Sequence, residues 1–162
     1  MLRTLPEAMS GEHGYERMRE RDAGLGPWSK RAVTAVIEAL FAREGEGGEI
    51  TPPPEARVAW VTAEVDDSLA RASARSYALV LLSLLAVSIL APLLSRKFSS
   101  LASLDPRERI DALERFEKSG LAPALLAVKA LLAVHYYEHP DAAREVGFDG
   151  ACMLPTRATE AQ

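Results

Sequence analysis

The sequence is poor in aromatic residues and has almost no cysteine. Only 6% of its 162 residues are Phe, Trp or Tyr, and the single cysteine is Cys152. One cysteine excludes an internal disulfide, so nothing in the count points to an oxidising compartment. Cys152 has no neighbour that would favour its thiolate and reads as an inert thiol. No G-x-G-x-x-G follows a strand pattern, which excludes a dinucleotide or flavin fold within this chain. No alternating run is long enough to predict a sheet, and no repeat recurs. A basic stripe with aromatic platforms is missing too. Net charge is −4 with acids and bases interspersed, which argues against a nucleic-acid partner. The first 27 residues, MLRTLPEAMSGEHGYERMRERDAGLGP, contain neither a continuous apolar stretch nor a twin arginine ahead of one. The expected compartment is therefore cytoplasmic, with export alongside a signal-bearing partner left open.

What is present points to helices. The chain is 48% hydrophobic and 26% charged, a globular balance, and its richness in Ala and Leu favours helix over sheet. The expected organisation is a polar arm over 1–27, one helical domain over 28–150, and a loose tail over 151–162. A first helix is predicted from an N-cap at Ser29, with Val33, Val36, Ile37, Leu40 and Phe41 at helical spacing. It stops at the glycines of REGEGGE. A second starts near Pro54 and carries the stripe Val58, Val61, Val65, Leu69. A third holds Tyr77–Leu94. A fourth opens with Asp105 as N-cap, Pro106 in the first turn and Glu108 completing a capping-box pattern. A fifth, LAPALLAVKALLAVHYYEH, is apolar nearly all round and is stopped by Pro140. The fold class expected is all-α: a single bundle of about five helices, with the two nearly all-apolar ones at its centre.

The run YALVLLSLLAVSILAPLL, Tyr77–Leu94, has no charged residue. As a helix it extends about 27 Å against roughly 30 Å of hydrocarbon, and Pro92 is expected to kink or end it. Positive residues on both flanks (Arg75; Arg96 and Lys97) give no orientation bias. The expectation is a buried core helix rather than a span, with a lipid-contacting surface helix as the alternative.

Polar motifs are sparse. His135, Glu138 and His139 in HYYEH match H-x-x-E-H, which on one helix face would bring two imidazoles and a general base to a metal. The competing reading is a polar helix end, since Pro140 follows at once. His13 reads as a surface histidine. Asp66–Asp67 and RERIDALERFEK read as solvated helix faces with i,i+4 pairs.

The segments FSSL, RERIDALERFEKSG, LLAVHYYEHP and VGFDG, in that order, resemble the gluconate 2-dehydrogenase subunit 3 family. A similar helical segment precedes the flavin domain of long-chain alcohol oxidases. The resemblance runs from about Trp28 to Gly150. It rests on Phe98, Ser99, Leu101, Arg109, Leu113, Phe116, Ser119, Lys129, Leu131, Tyr136, Tyr137, Pro140, Gly147, Asp149 and Gly150. Phe148 stands where the family favours tyrosine, and the twin-arginine leader typical of members serving periplasmic enzymes is missing. The resemblance implies a non-catalytic small subunit accompanying an FAD-dependent oxidoreductase of the glucose–methanol–choline type. It places the flavin in the large partner subunit, with no cofactor or metal in this chain. Tyr136, Tyr137, Gly147, Phe148, Asp149 and Gly150 are the expected interface residues, tyrosine offering rigid area with a polar tip. The alternatives carried forward are a membrane-anchoring or lipid-contacting helical module and a small metal hydrolase built on HYYEH.

Overall fold

A computed structural model describes residues 24–148. Over that range the chain is an all-α bundle. Six helices run in the order α1 Pro27–Leu40, α2 Glu55–Arg71, α3 Ala74–Leu94, α4 Pro106–Glu117, α5 Ala122–Glu138 and α6 Pro140–Glu145. A 3₁₀ turn, Leu101–Ser103, leads into α4. Helix α3 packs against α4 and α5, α1 against α2 and α4, and α2 against α5. The deepest core side chains are Phe116, Ile37, Leu84, Leu101, Leu125 and Leu132, each stabilising the fold by about 1.5–3 kcal/mol.

Several helix signals act where they were expected. The stripe Val58, Val61, Val65, Leu69 is buried in full. Asp105 is the N-cap of α4 and Pro106 its first residue, although the Asp105 side chain makes no cap bond. Glu108 lies in the first turn of α4, where its carboxylate suits the positive end of the helix.

Five expectations need correction. The N-cap of α1 is Gly26 with Pro27 next, because proline suits a first turn whose N–H groups are unpaired anyway; Ser29 is inside the helix. The polar arm ends earlier than residue 27, since Leu25 joins the core and its N–H donates to Asp66. The glycine-rich REGEGGE is not only a helix stop. It forms a two-stranded antiparallel hairpin, β1 Arg43–Glu44 with β2 Ile50–Thr51. Pro140 ends α5 and also starts α6, a helix the sequence pattern did not predict. Finally, α3 runs past Pro92 to Leu94 over 21 residues, about 32 Å, and its position differs from that of a central helix, as described below.

Gly147 closes α6 with a positive φ of 77°. Its N–H reaches Arg144 O at 3.0 Å, and Phe148 N–H reaches Ala143 O at 2.9 Å, the paired bonds of a Schellman motif. Gly147→Ala is expected to cost about 1 kcal/mol from the left-handed backbone alone, visible as a small drop in Tm with secondary structure unchanged.

Candidate functional site

Two places gather the residues singled out by the sequence. The first is a knot where α2, α5 and α6 meet. Tyr136 is buried, stacked on Phe41 with ring centroids 3.7 Å apart, and its hydroxyl accepts from Arg57 Nη1 at 2.9 Å. Arg57, only 5% exposed, also grips Glu145 bidentately at 2.8 and 3.0 Å. Arg43 reaches the same carboxylate at 2.5 Å. The Arg57 hydrogen bond and charge hold Glu145 below the usual carboxylate range. The carboxylate in turn raises the Arg57 guanidinium above its ordinary value, burial opposing. Phe41, Pro53, Pro54 and Arg57 line a groove of about 370 Å³ beside the knot.

The expected interface residues divide here. Tyr136 is an internal strut. Tyr137, packed edge-on to Phe41 and Tyr136, is half-exposed, as is Phe148. Gly147 serves as a helix stop. Asp149 and Gly150 lie outside the described residues, as do His13 and Cys152.

The H-x-x-E-H motif does not assemble on one helix face. Helix α5 ends at Glu138, and His139 is extended at φ −67°, ψ 127°. Glu138 bonds His135 Nδ1 at 2.9 Å. His139 Nδ1 accepts from the Asp141 N–H, and its ring lies edge-on to Trp60 at 5.1 Å. The described residues contain no group of three or more His, Cys, Asp or Glu able to hold a metal.

Two charged positions read as solvated are not. Arg109 is buried between Glu38 and the Leu104 carbonyl, which it reaches at 3.1 Å, and so fixes the 3₁₀ turn to α1. Asp66 is half-buried; burial pushes its carboxyl up, but Lys30 and the Leu25 N–H outweigh that and hold it below its ordinary value. Lys97 does the same for Glu108. A carboxyl depressed in the folded state stabilises the fold fully above its unfolded value, and that stability is lost as pH falls through the folded one. Tm is thus expected to be flat from neutral pH to about pH 5 and to fall below it. Glu145→Gln should flatten part of that acid limb, as thermal melts in a pH series would reveal.

The second place is the outer face of α3. Leu84, Val87, Ser88, Ala91 and Pro92 are buried. Leu79, Leu82, Leu85, Ile89 and Leu93 are exposed, Leu82 by 62% and Ile89 by 49%. At 3.6 residues per turn these five recur on one side and form a bare aliphatic stripe about 21 Å long. Only 28% of the most apolar window of α3 is buried, and the helix is long and apolar enough by length and composition to cross a membrane. The helix is thus half inside the bundle, not its hidden axis. Helix α5, packed beside it, bares Leu126, Val134 and Tyr137. Contiguous apolar patches of this kind mark surfaces that something covers.

No family model matches the chain, and no curated protein or solved structure matches it.

Proposed function

We infer that this chain is a non-catalytic accessory subunit of an FAD-dependent oxidoreductase acting on alcohol groups. The partner holds the flavin and carries out the hydride transfer. The observation that carries the reading is the bare aliphatic face of α3, joined by the half-exposed Tyr137 of α5. A helix with one face in its own bundle and one apolar face outside is half of an interface. The resemblance of Phe98–Gly150 to the small-subunit family supplies the kind of partner. Binding only the folded partner, the subunit stabilises it by mass action. The test is affinity purification of the full tagged chain from its native cells. A flavin-bearing protein is expected to co-elute at fixed stoichiometry, with alcohol-dependent reduction of an artificial acceptor. Isolated chain that oxidises an alcohol unaided, or a complex without flavin, contradicts the reading.

The same helix also favours a second reading, a lipid-contacting module, because its length and hydropathy suit a bilayer. Cell fractionation separates the two. A subunit of a flavoprotein leaves membranes with its partner in salt, whereas a lipid-bound module needs detergent.

A further inference from the structure

The α3 stripe ends in an unbalanced cation on each side. At its start Arg71 is paired with Asp67, leaving Arg75; at its end Lys97 is paired with Glu108 at 2.6 Å, leaving Arg96. Arg75 and Arg96 are exposed and join no ion pair among the described residues. Helix physics disfavours the charge of the first and the backbone of the second. Arg75 is the second residue of α3, where the helix dipole is positive and repels a cation. Arg96 has φ 59°, the left-handed backbone that favours glycine after a helix. Its N–H and that of Lys97 close the helix onto Leu93 O and Pro92 O, both at 2.9 Å. An exposed cation with no ion-pair partner among the described residues at each end of a bare apolar stripe is a reason to look for what the two charges meet.

A second copy of this chain does not fit. Two stripes laid antiparallel would set Leu82 against Ile89 and Arg75 against Arg96, cation on cation at both ends. Laid parallel, each cation would meet its own copy. Anionic lipid fits poorly as well. The chain carries a net charge of −4, and α4, packed alongside α3, exposes Asp111, Glu114 and Glu117 against Arg107 and Arg115, so it adds no cationic face beside the stripe. The segments outside 24–148 have scattered leucines and methionines among charges, not a matching stripe.

We propose that the surface receiving α3 is a protein trough, apolar along its floor and acidic at both ends. The same end cations keep two copies of this chain from pairing through the stripe. The accessory-subunit reading names the owner of that trough; the self-exclusion does not depend on it. Opposed charges at two ends set orientation and partner choice, while the leucines supply affinity.

The test compares full-length wild type, Arg75→Glu and Arg75→Glu/Arg96→Glu by analytical ultracentrifugation at low and high salt. Wild type is expected to be monomeric. Arg75→Glu puts opposite charges at both ends of an antiparallel pair and should self-associate about tenfold or more tightly at low salt. High salt should erase that gain. The double variant restores like charges and should return to monomer. Both variants should bind the flavoprotein at least tenfold more weakly. Arg96→Gly should melt at or above the wild-type temperature yet also bind the partner less well, which separates fold from recognition. The proposal is overturned by a wild-type dimer cross-linked through Leu82, by Arg75→Glu staying monomeric, or by the double variant pairing as strongly as the single. Wild type floating with vesicles of anionic phospholipid overturns it too. If the charge series behaves as stated while no flavoprotein co-elutes, the accessory-subunit reading falls and the self-exclusion stands.

Discussion

Replacing Leu82 and Ile89 together with aspartate is expected to abolish docking to the flavoprotein proposed as partner while leaving the chain's own fold nearly intact. Both side chains are about half or more exposed in the bundle, so the free chain loses little buried area. The cost is about 1 kcal/mol, mainly the poorer helix propensity of two aspartates. In the complex the balance reverses. Two aliphatic anchors are lost and two carboxylates must be stripped of water, a penalty of several kcal/mol. Every 1.4 kcal/mol is tenfold in affinity, so association should weaken by roughly a hundredfold or more. Unchanged circular dichroism and near-unchanged Tm, with the flavin no longer co-eluting, is the expected pair of results. Undisturbed co-elution would mean that another surface carries the docking.

The second large effect belongs to the knot around Arg57. Arg57→Ala removes the buried cation of the α2–α5–α6 junction, leaving the Tyr136 hydroxyl and the Glu145 carboxylate without their shared donor. Removing one partner of a buried ion pair typically costs roughly 3–5 kcal/mol. Glu145 has one open side and keeps Arg43, which sets the loss at the low end, about 3 kcal/mol. That corresponds to a drop in Tm of about 10 °C for a domain of this size. Tyr136→Phe, which removes one hydrogen bond and keeps the ring stacked on Phe41, should cost only about 1 kcal/mol. Urea titrations of the three proteins resolve the order. Equal losses for both variants would mean that the aromatic stack, not the arginine, holds the junction.

These two regions differ in how much of them the sequence disclosed, and for different reasons. Helix α2 was legible because its stripe alternates with charge: Val58, Val61, Val65 and Leu69 have a phase that shows which side is inside. Helix α3 has no phase. With leucine, alanine or valine at nearly every position, the sequence cannot say which side packs, so a half-bare helix and a wholly buried one read alike. Only the bundle's geometry, which offers α4, α5 and α1 to one side, leaves Leu82 and Ile89 outside. The buried arginines were hidden differently. Arg57 finds Glu145 88 positions away and Arg109 finds Glu38 71 away, and a charged residue on an amphipathic helix carries no mark of such a partner. Pro140 was read as a stop because proline ends helices; it starts them equally well, and α6 brings Glu145 to the knot.

The most direct measurement puts a photo-reactive cross-linker at Leu82 in the full chain, expressed in its native cells, with a second variant labelled at Lys118, the exposed residue that caps the end of α4. The account predicts a single product from position 82, joined to a flavin-bearing protein, and little or none of it from position 118. Cross-links from position 82 to phospholipid, to a second copy of the chain, or to nothing at all would contradict it.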